Sequence, residues 1–251
     1  MTSPIKVALI TGASRGIGAA TARILAHKGY RICINYRDNH QAAIELQQEL
    51  LAICEHVIIK QADIAKESDV IELFECIDEE LGTITALVNN AGILKQQCRL
   101  QDLTAERINE IFQTNVTGSF LCAREAVKRM STGLGGQGGA IVNVSSAASY
   151  TGAPREYVDY AASKGAMDSM TKGLSLEVAA EGIRVNSVRP GCIYTGMHAD
   201  GGEAGRVDRL APLIPMQRGG QPEEVANAIA WLLSDEASYA TGTFIDLAGG
   251  R

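Results

Sequence analysis

Short runs of β-branched and apolar residues alternate with amphipathic helical stretches along the whole chain. Seven runs have the length and composition of strands: KVALI (6–10), RICINY (31–36), HVIIKQ (56–61), ALVNN (86–90), GAIVNVS (139–145), IRVNSV (183–188) and TFIDLA (243–248). These runs are almost continuously apolar, which is typical of strands that are buried on both faces. The alternation predicts an α/β fold, a doubly wound and mostly parallel sheet of about seven strands with helices on both faces.

The 251 residues are enough for one large domain or two small ones. No break in composition and no internal repeat divides the chain, so we expect residues 1–251 to form a single domain. Segment 196–220 interrupts the regular alternation, since it is long and holds glycine, proline and mixed charges. Loops of this length in compact domains are usually functional lids or disordered segments. We predict a lid over a substrate site, with disorder as the alternative.

Composition excludes several classes of partner. Apolar residues make up 46% of the chain and charged residues 21%, as in ordinary globular proteins, and the net charge of −6 argues against a nucleic-acid partner. No apolar window is long enough to span a bilayer, and the N-terminus lacks a signal-peptide pattern, so we expect a cytoplasmic protein with no membrane partner. The six cysteines include no C-x-x-C pair and the four histidines show no ligand spacing, so we expect no metal site, and histidines on the surface or in loops.

The stretch TGASRGIG follows the first predicted strand and opens a predicted helix, with Gly12, Gly16 and Gly18 at its turn. Glycines there allow positive φ and let backbone N–H groups approach a phosphate, while the helix N-terminus offers unpaired donors to a pyrophosphate. The spacing G-x-x-x-G-x-G differs from the commonest dinucleotide fingerprint, and glycines also serve plain tight turns. The strand–turn–helix context favours binding of a dinucleotide.

The end of the second predicted strand should lie near the adenosine ribose. An acidic residue there binds the 2′-hydroxyl of NAD, whereas arginine accommodates the 2′-phosphate of NADP. The strand ends at Tyr36 and Arg37, and Arg15 in the glycine turn could reach the same phosphate. Asp38 is the candidate for NAD, but we expect it past the strand end, pointing away. The sequence therefore favours NADP over NAD.

The stretch YAASK places Tyr160 and Lys164 four residues apart in an alanine-rich, helix-favouring context, so both lie on one helix face. Taken alone, a solvated surface pair is the alternative interpretation.

Together with NNAG (89–92), Asn115 in TNVTG and the serine pair in NVSSAAS, these motifs make the chain resemble the short-chain dehydrogenase/reductase family. Within that family it is most similar to bacterial glucose-dehydrogenase-like and 3-oxoacyl-carrier-protein-reductase-like oxidoreductases. The resemblance runs from the first strand to the closing FIDLAGG. It implies a Rossmann-type sheet and an NADP-dependent enzyme that transfers hydride between nicotinamide and a carbonyl or secondary alcohol of a small molecule. It also implies a homo-oligomer, a dimer of dimers, in which helices around 105–130 and 157–180 pair.

The resemblance assigns four catalytic roles. Tyr160 would be the general acid/base, and Lys164 would lower the pKa of the phenol, together with the oxidised nicotinamide, and bond the nicotinamide ribose. Ser146 would hold the substrate oxygen, although Ser145 and Ser146 could merely end a strand. Asn115 would anchor a water in a proton relay toward Lys164, and repair of a helix irregularity is compatible with that role.

The resemblance also implies a set of cofactor-binding residues, each of which could instead reflect ordinary turn chemistry. They are Gly12, Ser14, Arg15, Gly16, Ile17, Gly18, Arg37, Asp63, Ile64, Asn89, Ala91, Gly92, Tyr160, Lys164, Pro190, Gly191, Ile193 and Thr195. Asn89, Ala91 and Gly92 would pack beside the adenosine ribose, and Asp63 and Ile64 would contact adenine. The nicotinamide carboxamide would be fixed by Pro190, Gly191, Ile193 and Thr195.

The chain departs from the family in one spacing, because the gap from Ser146 to Tyr160 is one residue longer than usual. The usual gap ends at Ala147, which has no hydroxyl, so we expect the extra residue in the loop TGAPREYVD (151–159). Tyr157 is excluded as the acid because its i+4 partner is Ala161. We expect segments 94–97, 149–156 and 196–220 to set the substrate, which the sequence does not identify. A non-catalytic NADP-binding sensor is the alternative function.

Overall fold

In the computed structural model, which describes residues 5–251, seven parallel strands form one sheet in the order β3-β2-β1-β4-β5-β6-β7. The strands are β1 (Val7–Ile10), β2 (Arg31–Tyr36), β3 (Val57–Gln61), β4 (Ala86–Asn89), β5 (Gly139–Val144), β6 (Ile183–Pro190) and β7 (Phe244–Leu247). Each coincides with a predicted run to within two residues at either end. The doubly wound Rossmann-type sheet is therefore confirmed.

Ten α-helices accompany the strands in the described residues. They are α1 (Gly16–His27), α2 (His40–Leu51), α3 (Glu67–Glu80), α4 (Ala105–Phe112), α5 (Gly118–Met130), α6 (Ala148–Thr151), α7 (Val158–Glu177), α8 (Met197–Asp200), α9 (Arg206–Leu210) and α10 (Pro222–Leu233). A turn of π-helix, Gln113–Thr117, joins α4 to α5. No helix among residues 5–251 is both long enough and apolar enough to cross a membrane.

The near-continuous apolar character of the strands follows from two cores, one on each side of the sheet. Successive strand residues face opposite sides, so Ala8 and Ile10 pack with α1, α2 and α10, whereas Val7 and Leu9 pack with α3, α5 and α7. Both faces must therefore be apolar. Cys33, fully buried on the second side, serves as a small hydrophobic residue there.

The strand order reverses between β1 and β4, since β2 and β3 lie on one side of β1 and the later strands on the other. Ligands of open α/β sheets bind at such a switch point, outside the carboxyl ends of the strands. The glycine turn after β1, the NNAG stretch after β4, the serine pair after β5 and Pro190 at the end of β6 all reach this edge.

Segment 196–220 is more regular than the sequence indicates. It contains α8, α9 and a 3₁₀ turn over Ala211–Leu213. Helices of four and five residues are too short to produce a detectable apolar periodicity, which is why sequence patterning missed them. That the segment acts as a lid stays a prediction.

Candidate active site

The turn between β1 and α1 has the geometry that a phosphate needs. Gly12 and Gly16 adopt φ of +60° and +57°, and a Cβ on Gly12 would lie 2.9 Å from the Cα of Ala91. No side chain caps the N-terminus of α1, and its first turn holds no acidic residue. The unpaired N–H groups of that helix therefore open onto the cleft and suit an anion.

Two asparagines outside the predicted set hold this turn in place. Asn35 on β2 accepts at Oδ1 from the Gly12 N–H at 3.2 Å and donates from Nδ2 to the Ala62 carbonyl at 3.0 Å. Asn90 donates from Nδ2 to the carbonyls of Thr11 and Gly12 at 2.8 and 3.1 Å. The sequence feature that could have identified Asn35 is a polar amide side chain within the otherwise apolar run RICINY.

A cavity of about 390 Å³ lies beside the turn. Of the predicted cofactor residues, it is lined by Gly12, Ser14, Arg15, Gly16, Ile17, Arg37, Asp63, Ile64, Ala91, Gly92 and Thr195. Asp38 also lines it, paired with Arg37 through an Nε–Oδ2 distance of 2.8 Å. Asp38 is thus among the lining residues, contrary to the expectation that it points away, although its side chain is 75% exposed. The hydrogen bond that Arg37 donates to the Asp38 carboxylate raises the pKa of Arg37.

Arg15 contacts segment 196–220. Its guanidinium pairs with the carboxylate of Asp200 on α8, at the wall that Thr195, Gly196 and Met197 contribute to the same cavity. Arg15 therefore lines the adenosine side as predicted, but with an acidic partner that the sequence did not reveal.

Asn89 does not line the cleft, which corrects its predicted contact with the ribose. It ends β4 and is 2% exposed; its Nδ2 donates to Asn143 Oδ1 at 3.0 Å and to the Ser119 carbonyl at 3.3 Å. The pleat of β4 directs Asn89 inward and leaves the next residue, Asn90, at the cavity wall.

Gly18 is also buried and is not among the residues that line either cavity, so its predicted contact with the cofactor stays a prediction. A Cβ on Gly18 would lie 2.6 Å from Asn90 Nδ2, 2.8 Å from the Cα of Ala13 and 2.9 Å from the Gly12 carbonyl oxygen. Its role is to let α1 pack closely against the turn.

We expect Gly18→Ala to lower the free energy of unfolding by about 1–3 kcal/mol, because two of the clashing groups are backbone and cannot move away freely. Thermal and chemical denaturation would measure the loss. Gly173→Ala is the control, since a Cβ on this helical glycine meets nothing within 4 Å. Equal melting temperatures for the two variants would contradict the packing role.

A second cavity, of about 500 Å³, adjoins the first and shares Ile17, Asn90, Thr195 and Met197 with it. Among the predicted site residues its walls include Ser146, Tyr160, Lys164, Pro190, Gly191 and Ile193. The alternative of a solvated surface pair is thus excluded, because Tyr160 and Lys164 are 9% and 4% exposed. Both come from the first two turns of α7, which lies against the end of β5.

The pKa values of this pair differ from their usual values. Burial raises the pKa of Tyr160 to about 12, and the Ser146 hydroxyl acts in the opposite direction. Burial lowers the pKa of Lys164 to about 8, although the negative charge of Asp168 acts in the opposite direction. Lys164 Nζ lies 5.6 Å from the centre of the phenol ring and donates to the Val144 carbonyl at 2.8 Å. In the protein alone, desolvation by burial therefore dominates the pKa of Tyr160, and its lowering by Lys164 together with the oxidised nicotinamide stays a prediction.

The structure places Ser146, and not a residue one position later, beside the phenol of Tyr160. Ser146 Oγ accepts from the Ala148 N–H at 3.1 Å, just past the end of β5. The additional length between Ser146 and Tyr160 passes through a loop in which Gly152, Ala153 and Arg155 have left-handed backbone. Ser145 is the structural member of the pair, since its hydroxyl donates to the Lys164 carbonyl at 3.1 Å.

Asn115 lies in the π-helical turn and is 1% exposed, so it contacts neither cavity directly. Its Oδ1 accepts from the Ile93 N–H at 2.8 Å, and its Nδ2 donates to the Ile93 carbonyl and to Ser163 Oγ, both at 3.0 Å. A Cβ on Gly92 would lie 3.4 Å from both Asn115 Oδ1 and Lys164 Nζ. The amide therefore stabilises the widened turn next to Lys164, which is the structural role considered for it.

The two cavities together fit a nicotinamide dinucleotide. The glycine turn leaves room that any Cβ at residue 12 would fill, the uncapped end of α1 supplies N–H donors for the pyrophosphate, and Lys164 supplies a buried ammonium or amine at the far end. No cluster of three or more histidine, cysteine or acidic side chains suitable for a metal occurs within residues 5–251.

Three polar residues of the second cavity lie in the segments expected to set the substrate, but the sequence did not single them out: Glu156, His198 and Arg206. His198 is half-buried on the short helix α8, whereas the sequence predicted a surface or loop position, and its Nε2 lies 3.0 Å from the Ile193 carbonyl. Burial lowers the pKa of this imidazole. The three residues meet only through contacts between distant segments, which no local pattern reveals.

Comparisons with known proteins agree with this geometry. A family model described as enoyl-(acyl carrier protein) reductase matches residues 12–251. The Escherichia coli (strain K12) protein named uncharacterized oxidoreductase YgfF is 63% identical over 245 residues, 98% of this chain and 99% of that protein. A solved short-chain type dehydrogenase/reductase from Mycobacterium marinum is 34% identical, with a TM-score of 0.91 over 98% of this chain and 94% of that one. A 3-ketoacyl-(acyl-carrier-protein) reductase from Brucella melitensis, solved in complex with NADH, is 33% identical, with a TM-score of 0.91 over 98% of each chain.

Proposed function

The chain belongs to the short-chain dehydrogenase/reductase family of oxidoreductases, and from that premise we propose an NADP-dependent enzyme that interconverts a small-molecule carbonyl compound and its secondary alcohol. One observation carries the proposal: the Ser146 hydroxyl, the Tyr160 phenol and Lys164 meet in one cavity that adjoins the glycine turn. An acid/base group buried beside a dinucleotide cleft is what hydride transfer to a carbonyl requires.

The glycine turn and the N-terminus of α1 would hold the pyrophosphate. Asp63, Ile64, Ala91 and Gly92 would enclose the adenosine, and the residues from 190 to 195 would enclose the nicotinamide. When bound, the nicotinamide supplies or accepts the hydride and, in its oxidised form, a positive charge.

In the reducing direction the Tyr160 phenol donates its proton to the substrate carbonyl oxygen, and in the oxidising direction the phenolate takes the proton from the alcohol. Ser146 donates a hydrogen bond to the same oxygen and orients it toward Tyr160. Lys164 adds charge below the phenol when it is protonated, and its lowered pKa of about 8 lets it pass protons near neutral pH. General acid catalysis of this kind contributes about 10²–10⁴ in rate.

Arginines support the choice of NADP. Arg15 and Arg37 both line the adenosine-side cavity, and guanidinium groups bind phosphate oxygens in bidentate fashion. Asp38, in the same cavity, supports NAD as the alternative, because a carboxylate suits the ribose 2′-hydroxyl. Arg37 would exchange Asp38 for the 2′-phosphate when NADP binds.

We expect Arg37→Asp to shift the ratio of kcat/KM for NADPH over NADH toward NADH by at least about tenfold, because a carboxylate repels the 2′-phosphate. Steady-state kinetics with both cofactors measures the ratio. Asp38→Asn is the matched control and should leave the NADPH preference in place. An unchanged ratio in Arg37→Asp, with loss of NADH use in Asp38→Asn, would favour NAD.

The proposal includes a homo-oligomer, a dimer of dimers in the cytoplasm. Phe120 on α5 and Leu176 on α7 are 50% and 70% exposed, and these are the helices for which pairing is expected. Apolar side chains this exposed favour burial against another copy.

The experiment that tests the function follows nicotinamide absorbance over a panel of ketones, quinones and sugars, with NADPH and NADH in parallel. Turnover of at least one carbonyl or alcohol supports the enzyme. Tight cofactor binding without turnover on any panel member would favour the non-catalytic sensor.

A further inference from the structure

A hydrogen-bonded group centred on Arg206 connects the three segments that border the substrate-side cavity. Arg206 on α9 donates to Glu156 Oε1 at 2.9 Å and to Oε2 at 2.5 Å, and its Nη1 lies 3.4 Å from Glu203 Oε2. Glu203 accepts from Gln97 Nε2 at 2.8 Å. Segments 94–98, 152–157 and 196–210 are thereby joined in a single hydrogen-bonded group, which we call the Arg206 clamp.

The loop that the Arg206 clamp contacts, residues 152–157, contains strained backbone. Ala153 and Arg155 have φ of 42° and 68°, and residues other than glycine occupy that region only when their surroundings hold them there. This is also the loop in which the sequence predicts the additional residue between Ser146 and Tyr160.

The same loop is held on its other sides. The Cys98 N–H donates to the Glu156 carbonyl at 3.1 Å, and the Tyr157 hydroxyl donates to the Gly201 carbonyl at 3.2 Å. The Arg206 guanidinium stacks over the Tyr157 ring, 5.2 Å from its centre. Arg206 thus contacts both residues at the end of the loop, through two different interactions.

The end of the loop is the beginning of the helix that carries the acid. Tyr157 is the N-cap of α7, and its carbonyl accepts from the Ala161 N–H at 2.8 Å. Glu156, Tyr157 and Arg206 are all walls of the cavity that contains Tyr160. A shift of residues 156 and 157 would therefore move both the substrate wall and the first turn of α7.

We propose that Arg206 is a positioning residue for the reaction, which acts through Glu156 and Tyr157 to fix the substrate wall relative to Tyr160. The inference rests on the proposed function. A planar guanidinium matches a carboxylate with two parallel hydrogen bonds and stacks on an aromatic ring, and lysine does neither in this way. The Arg206 side chain is 12% exposed, so the pair is shielded from water more than the other bidentate Arg–Glu pairs of the described chain.

The experiment compares Arg206→Met, Glu156→Gln and the double variant, using the best substrate of the panel. We expect each single variant to lower kcat/KM for the carbonyl compound by at least about tenfold, because misplacement by about 1 Å can cost about a hundredfold. The Kd for NADPH should stay within about twofold of wild type. The double variant should be no worse than the poorer single variant, because residues that act as one unit are non-additive. Arg206→Lys should recover part of the loss.

Arg23→Met is the matched control, because it removes a bidentate pair with Glu49, at 2.7 and 2.8 Å, on the exposed surface. Its kinetics should equal those of wild type. Unchanged kinetics in Arg206→Met, additive losses in the double variant, or a parallel loss of NADPH affinity would each overturn the positioning role.

Hydrogen exchange separates this inference from the proposed function. If the wild-type protein turns over no substrate, the proposed function fails, and the amides of residues 153–161 still report on the clamp. Faster exchange there in Arg206→Met than in Arg23→Met supports the clamp as the support of the loop. Equal exchange in the two variants overturns it.

Discussion

Replacing Tyr160 by phenylalanine should lower kcat by about 10²–10⁴-fold, while the Kd for NADPH stays within about twofold. The substitution removes one hydroxyl from a side chain that is 9% exposed, so the ring still fills its place between Ser146 and Lys164. The variant therefore loses the proton donor to the carbonyl oxygen but keeps the walls that would surround the dinucleotide. Absorbance kinetics measures the first effect and fluorescence titration with NADPH the second.

Tyr30→Phe is the control for loss of a buried phenol hydroxyl. Tyr30 is 4% exposed, packs in the core beside α1, and lines neither cavity. This variant should keep wild-type kinetics. More than about a tenth of wild-type activity in Tyr160→Phe would be incompatible with general acid catalysis of the expected size.

Ser146→Ala should lower kcat/KM by about 10²–10³-fold, the usual effect of removing one hydrogen-bond donor from a developing oxyanion. The Ser146 hydroxyl is also the group that opposes the raised pKa of Tyr160, so the variant should raise that pKa further and make the phenol a weaker acid. In the oxidising direction, the rising limb of the pH–rate profile should therefore move to higher pH. Initial rates in both directions across a pH series measure this.

The Ser146→Ala, Ala147→Ser double variant tests the unusual spacing. Because the structure places residue 146 beside the phenol, the hydroxyl at residue 147 should not restore activity. Recovery to about half of the wild-type rate or more would show that the family spacing, and not the longer loop, describes the working site.

The sequence predicted the sheet well because the strand signal is local. In RICINY, apolar residues face both sides, and the run ends where Arg37 and Asp38 bring charge, so β2 is bounded at Arg31 and Tyr36 as expected. The glycine turn was similarly visible, because only glycine suits φ near +60° so close to Ala91.

Side-chain direction at the strand ends was not predictable to one residue. Assigning Asn89 to the cleft instead of Asn90 is a slip of one position, and in a pleated strand one position exchanges the interior for the cavity. The placement of Asp38 was also not predictable, since the sequence does not show that its carboxylate pairs with Arg37 at the end of β2.

Contacts between distant segments escaped the sequence altogether. Arg206 and Glu156 are 50 residues apart, and Gln97 and Glu203 are 106 apart, so no periodicity joins them. The raised pKa of Tyr160 was also not predictable from the sequence, because the desolvation that causes it depends on how the cavity packs around the phenol.

Asn115, in the π-helical turn between α4 and α5, supports the backbone of a neighbouring segment. Its carboxamide satisfies both backbone groups of Ile93, as a neighbouring strand would. Oδ1 accepts from the Ile93 N–H, and Nδ2 donates to the Ile93 carbonyl. An aspartate has the same shape but would set a second oxygen against that carbonyl, and an alanine would leave both backbone groups without a protein partner. Of these three side chains, only asparagine therefore satisfies both backbone groups of Ile93, next to Gly92 and Lys164. The π-helical turn places that side chain where it can hold the backbone at the edge of the cleft.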